Sequence, residues 1–367
     1  MWVFPSKLKP KAFEVSRQKD FGKRQKRGQV MESLREPFTI RSVDIRATLG
    51  IASATLHELY KKVGIESIVE GQRLVGRGAS KTISAHDARK IFESRGYRYP
   101  ETAKIIAFMM CKGGVGKTTS TFFLSQRLST YGARVLVIDA DSQGNLTSAF
   151  NLEQYGCEID AETPILVDLI TSSCSIDEAI IAITPNLHLI PSTPLNANME
   201  GKVRELYKNP SLPIKKILAP LLSRYDYILI DCAPALNLTN TAIVSAASIV
   251  ILPVAPDKFS QLGLNQTLSE ISQIEQDFGL SIEKRLIFTK YDAREFTSLK
   301  YLAEIAEKHN DKRFATAIRT SADVKNAITK KEDLFHLKKS NAKEDYDNFA
   351  QELMGLDKFK RIAKSID

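Results

Sequence analysis

The sequence predicts an α/β protein: a mostly parallel, doubly wound sheet over residues 101–367, preceded by a small helical unit over 38–100 and a basic extension over 1–37. Three observations carry this. Six short runs rich in β-branched and aliphatic residues, "KIIAFMMC", "RVLVIDA", "LHLIPS", "YDYILIDC", "SIVILPVAP" and "RLIFTKYD", are each bounded by turn or polar residues. Helix-length segments separate most of them, the alternation expected of parallel strands covered by helices on both faces. Charge also changes along the chain. Residues 1–100 hold 21 Lys and Arg against 10 Asp and Glu, so the total of +9 arises there and the remainder is slightly acidic.

Composition bounds the function classes. With 367 residues and 43% hydrophobic content the chain has room for two or three domains and a sizeable core. No run of about eighteen apolar residues occurs, and the first twenty residues lack the apolar stretch of a secretory signal, so a cytoplasmic location is expected. Cys111, Cys157, Cys174 and Cys232 show neither C-x-x-C spacing nor paired histidines nearby, which argues against a zinc site or a disulfide framework. Neither repeats nor low-complexity tracts are present.

Taken in order, the extension carries the cluster "KDFGKRQKRG" and little apolar periodicity. Then "FTIRSVDIRATLGIASATLHELYKKVG" reads as two short helices with Gly50 at the turn. Val43, Ala47 and Leu49 are expected to face inward on the first, Leu56, Leu59 and Val63 on the second, with Ser53 as its N-cap. Plain helical packing would give the same pattern. The charge asymmetry, a basic wing or hairpin in "IVEGQRLVGRGASKTIS" and a closing helix in "SAHDARKIFESRG" favour a winged helix-turn-helix domain that binds DNA. Thr55, His57 and Lys61 would then line the exposed face of the recognition helix, while Arg73, Arg77 and Lys81 would meet phosphates. Pro100, in "YRYPETAK", marks a junction that no helix crosses. Beyond it, "KTTSTFFLSQRLSTYG" and "GLNQTLSEISQIEQDFG" predict helices closed by Gly132 and Gly279.

Chemistry begins where the first strand meets the first of these helices, in "KGGVGKTTS". Gly113, Gly114 and Gly116 let the backbone curl so that the amides from Gly113 through Val115 to Thr119 point at phosphate oxygens, at the positive end of the helix that follows. Lys117 would reach the outer phosphates and the Thr118 hydroxyl would ligate Mg²⁺. Two more strands end in carboxylates: Asp139 and Asp141 in "VLVIDADSQGN", and Asp231 in "YILIDC". These ends face the ligand crevice of such a sheet, and Asp139 and Asp231 are placed to hold Mg²⁺ or its water.

The pattern K-G-G-x-G-K-[ST] resembles the deviant Walker A motif of the ParA/MinD class of ATPases, in which the first glycine of the usual loop is often missing; Cys111 stands in that place. The resemblance implies that Lys112 is the class's signature lysine, reaching the partner subunit's phosphates across an ATP-sandwich homodimer. "DADSQGN" is similar to the ParA form D-x-D-P-Q-G-N, which gives Asp141 the role of orienting the attacking water; Ser142 departs from the usual proline. "FTKYDAR" and "IRTSADVKNAITKKEDLF" also look like ParA segments, so the resemblance runs from about Thr102 to the end. The cysteines do not match a nitrogenase iron protein. The N-terminal unit resembles the MerR-like winged helix of large plasmid ParA proteins. Together these imply an ATP- and Mg²⁺-dependent partition ATPase, associated with nucleoid DNA and stimulated by a ParB-type centromere-binding partner, whose N-terminal domain represses its own operon. A MinD-like membrane-cycling ATPase is an alternative, but Asp357 and Asp367 interrupt the short apolar face of "LMGLDKFKRIAKSID" and argue against membrane binding. A nucleotide-switched transcription regulator is another.

Overall fold

The computed structural model describes residues 38–65, 69–70, 81–330, 333–337 and 339–356. The basic extension, Arg73, Arg77 and the tail from residue 357 lie outside them, as does the side chain of Lys81.

The N-terminal unit comprises β1 (Ile40–Arg41), α1 (Ser42–Leu49), α2 (Ser53–Lys62), β2 (Val69–Glu70), β3 (Lys81–Ile83) and α3 (Ala85–Ser94). The three strands form an antiparallel sheet in the order β1-β3-β2. Gly50 ends α1 with φ 69°, a left-handed turn that returns its N–H to the Arg46 carbonyl. The inward face of α1 differs from the expected one: Val43 is 50% exposed and Ala47 is exposed, while Ile45, Thr48 and Leu49 are buried. The sequence offers two apolar faces on this helix. The Ile45 face wins because Thr48, one turn later, also satisfies its hydroxyl inside, against Tyr131 at 2.9 Å and the Asp44 carbonyl at 2.9 Å. On α2, Leu56 and Leu59 are buried as expected, with Tyr60 beside them; Val63 packs at the margin. Ala52 rather than Ser53 occupies the N-cap, without a side-chain hydrogen bond.

The body is an eight-stranded sheet: β4 (Lys104–Phe108), β5 (Val135–Asp139), β6 (Ile181–Thr184), β7 (Leu187–Ile190), β8 (Tyr227–Asp231), β9 (Ile249–Val254), β10 (Glu283–Tyr291) and β11 (Arg313–Arg319). Its order is β11-β10-β9-β4-β8-β5-β7-β6, parallel except for the β6–β7 pair. All six expected strands are present. The two that periodicity missed, β6 and β11, are edges: one is short and the other is only intermittently buried, so neither needs a continuous apolar run.

Helices α4 (Lys117–Thr130), α5 (Asn145–Ala149), α6 (Leu166–Ile170), α7 (Ile176–Ala179), α8 (Met199–Leu206), α9 (Pro213–Leu218), α10 (Leu238–Ala246), α11 (Lys258–Phe278), α12 (Phe296–Lys308), α13 (Ala322–Lys330) and α14 (Asn341–Met354) cover the two faces. One apolar cluster joins the N-terminal unit, α4 and α14 to one face; a second fills the face beneath α8, α10 and α11. Among the described residues no helix is long and apolar enough to cross a membrane. Because the chain crosses from β4 to β5 on one side and from β8 to β9 on the other, the sheet has a switch point beside β4, and a crevice opens at the C-terminal ends there.

Candidate nucleotide site

That crevice is where the glycine-rich loop lies. Gly114 and Gly116 take φ 74° and 90°, and Gly116 caps the N-terminus of α4. A β-carbon at Gly113 or Gly114 would meet nothing within 4 Å, so the loop's outer rim is open to an approaching ligand. Val115 is buried beneath it.

Lys117, the first residue of α4, is buried, and desolvation lowers its pKa even though the carboxylate of Asp231 pulls the other way. Asp139 and Asp231 end adjacent strands in direct register. Asp139 is spoken for: Oδ2 accepts the Thr147 N–H and hydroxyl, both at 2.8 Å, and Oδ1 accepts the Asp141 N–H at 3.2 Å. Burial still pushes its pKa up to about 6. Asp231 is fully buried, and neither of its carboxylate oxygens has a hydrogen-bond partner. Burial, with Asp139 alongside, raises its pKa to about 8; the nearby Thr118 hydroxyl, which does not close a hydrogen bond to it, and Lys117 act in the opposite sense but do not prevail.

Two orphaned carboxylate oxygens in the interior cost free energy unless a cation or water completes them. The arrangement fits Mg²⁺, which takes few protein ligands and keeps waters and phosphate oxygens for the rest. Among the described residues no group of three or more His, Cys, Asp or Glu converges as a metal cage.

Asp141 is nearly buried on the loop after β5, with Oδ1 accepting the Gln143 N–H at 3.0 Å. Its carbonyl takes the Gly144 N–H at 3.0 Å and the Ser192 hydroxyl at 2.6 Å, so the turn closes with Ser142 in the place of a proline. Lys112 points away from its own loop. Its ammonium donates to both carboxylate oxygens of Asp257, at 2.6 and 2.8 Å, and to the Ser260 hydroxyl at 3.0 Å. Asp257 is the N-cap of α11, accepting the Ser260 N–H at 2.9 Å. Partial burial would raise the Asp257 pKa, but Lys112 and Ser260 outweigh it and hold the carboxyl low.

Residues 103–284 match the family model of an AAA domain, AAA_31. The chain is 32% identical over 219 residues to the sporulation initiation inhibitor protein Soj of Bacillus subtilis, an alignment covering 59% of this chain and 83% of the relative. It is 30% identical over 218 residues to the chromosome-partitioning ATPase Soj of Treponema pallidum, covering 59% and 82%. The chain belongs to the Soj/ParA family of ATPases. Solved structures agree with this family. The ATP complex of Cyanothece McdA superposes with a TM-score of 0.63 at 26% identity, covering 70% of this chain and 97% of that one. A Borrelia burgdorferi plasmid partition protein bound to AMPPNP gives 0.60 at 28%, covering 69% and 99%.

In this Soj/ParA chain Lys117 and Thr118, at the end of the glycine-rich loop, come together with Asp139, Asp141 and Asp231, while Lys112 stands on Asp257 at the N-cap of α11. The DNA-facing candidates sit elsewhere. His57 and Lys61 are exposed on α2, and Thr55 is half-buried. Sequence reading missed Asp257, Thr289 and Lys290. Asp257 was detectable as a capping residue ahead of "KFSQL"; the other two depend on β10 reaching the loop, for which no local pattern exists.

Proposed function

We propose that the chain is a DNA partition ATPase of the plasmid or chromosome type, active as an ATP-bound homodimer. Backbone amides of residues 113–119 and the positive end of α4 receive the phosphates, and Lys117 neutralises the outer ones. Thr118, Asp231 and Asp139 would hold the cation, Asp139 also fixing the neighbouring loop. Bound Mg²⁺ would supply charge neutralisation on the phosphate oxygens. Asp141 orients the attacking water.

The observation that carries the dimer is Lys112. Its side chain remains 29% exposed, next to Phe259 at 73% and Leu262 at 58%, so a cation stands at an uncovered apolar rim beside the nucleotide crevice. A facing copy would cover that rim and exchange Asp257 for phosphate as the lysine's partner, placing a second cation on the transferring group much as an arginine finger does. The N-terminal unit, with His57, Lys61 and half-buried Thr55 on α2 and the basic Arg73, Arg77 and Lys81 that follow in sequence, would read an operator as a dimer. Nonspecific nucleoid binding and a ParB-type stimulator complete the cycle.

ATPase rate and sedimentation mass, measured with and without random-sequence duplex DNA and a ParB-type partner, test this in the unmutated protein and Lys112→Ala. Slow turnover that DNA and partner accelerate, lost with the dimer in Lys112→Ala, is the expected result. Normal turnover by Lys112→Ala would reduce the lysine to a loop residue and remove the sandwich dimer.

A further inference from the structure

We propose that Lys290 is a positioning residue of the nucleotide site, turning the amides of the phosphate loop towards the phosphates. The proposal rests on the nucleotide reading above and adds a residue to it. At the end of β10 the Thr289 hydroxyl donates to the Val115 carbonyl at 2.7 Å, and the Lys290 ammonium donates to the Gly114 carbonyl at 2.5 Å. In a planar trans peptide the C=O and the following N–H point in opposite directions. Drawing these two carbonyls towards β10 therefore turns the N–H groups of Val115 and Gly116 the other way, to the side where phosphate oxygens are received. The clasped peptides adjoin Gly114 and Gly116, whose φ values of 74° and 90° mark the part of the loop freest to flip.

The backbone of Lys290 supports the same role. Its φ is 53°, and among the described residues Ser172 is the only other non-glycine with a positive φ. Long side chains hold this conformation only where the surroundings impose it. Its effect here is geometric. Successive strand residues normally point to opposite faces, so Thr289 and Lys290 would not both face one loop. A left-handed residue at the strand end breaks the alternation, and the register of β10 against β11 shifts in that stretch, between Phe288 and Tyr291. Lys290 is itself exposed, so it contributes a contact to the loop rather than packing to the core.

The test uses the full chain and three variants: Lys290→Met, Lys290→Arg and Lys290→Gly. Fluorescent mant-ATP with Mg²⁺ is titrated, KM and kcat for ATP are measured, and the nucleotide-free melting midpoint is recorded. Lys290→Met is expected to weaken ATP binding and raise KM by about tenfold, the size of one charge-assisted hydrogen bond, with kcat within about twofold and the melting midpoint unchanged. Lys290→Arg should recover most of the affinity. Lys290→Gly removes the backbone strain, so it should melt no lower than the unmutated protein yet bind ATP as weakly as Lys290→Met. Unchanged affinity in Lys290→Met overturns the proposal. So does a joint loss of melting midpoint and affinity in Lys290→Met that Lys290→Gly restores, because the residue would then serve only the fold. An unmutated protein that binds no mant-ATP would fail the nucleotide reading itself, a distinct result that removes this proposal with it.

Discussion

Helix α4 starts at the phosphate loop and ends under the N-terminal unit, and its two ends treat buried charge in opposite ways. At the far end Arg127 is fully buried, yet Asp347 accepts from its Nε at 2.6 Å and Asp44 of α1 lies 3.9 Å from its Nη2. Desolvation alone would lower its pKa; Asp347, Tyr131 and Asp44 together raise it. Tyr131 donates to Asp347 and meets the Thr48 hydroxyl of α1. Close by, the buried Asp226 takes Arg89 of α3 at 2.7 Å and Arg134 at 2.8 Å. At the near end Asp231 is as deeply buried, with both oxygens unpartnered, and Lys290 stands in a strained backbone. Arg127 and Asp226 find their partners within the chain; Arg46 Nε and Asp333 Oδ2 do not, but among the described residues Asp231 is the buried carboxylate with both oxygens unpartnered. A carboxylate left wholly for a cation to complete is the physical signature of the working end.

Breaking the finished end comes first. Arg127→Met leaves the half-buried Asp347 without its cation beside an apolar side chain, while Asp44 keeps Arg41 and Lys343, and urea denaturation should register a loss of about 3 kcal/mol. Adding Asp347→Leu should return a good part of it, since replacing both partners removes the uncompensated charge. A loss under about 1 kcal/mol in Arg127→Met would mean that water reaches the network and the contrast is false.

Gly132→Ala comes next. Gly132 closes α4 with φ 87°, and an added β-carbon would lie 2.7 Å from the Arg89 backbone nitrogen and Cβ. Backbone strain and the clash with α3 add to about 2–4 kcal/mol, which urea denaturation would again measure. An unchanged urea midpoint would show that α3 can back away from the helix end, and that the N-terminal unit is less firmly seated than its contacts imply.

How much of this was legible beforehand follows from the range of each interaction. The loop, the three strand-end carboxylates and Gly132 as a helix stop were readable because strand, turn and helix signals are local. Gly132's second duty, admitting α3, was not, since it depends on a residue 43 positions away. Nor was the inward face of α1, where two apolar stripes compete and Tyr131 of the body helps decide between them. Asp139 and Asp231 looked alike at their strand ends. Only the fold separates them, because Thr147 occupies one carboxylate and nothing donates to the other.

That separation gives the finest test, Asp231→Asn in the nucleotide-free protein. The folded-state pKa of Asp231 is raised to about 8 from an ordinary 3.8, so between those values the folded protein holds a proton that the unfolded chain has released. Stability from this group is complete below pH 3.8, declines as pH rises and is gone above about 8. Asparagine does not titrate. The variant should therefore match the unmutated protein in urea near pH 5 and exceed it by about 1–3 kcal/mol near pH 8.5, while losing most of the melting shift that Mg²⁺ and ATP confer. A stability gap independent of pH would mean that Asp231 is already ionised and solvated, and the near end of α4 would then be no less finished than the far one.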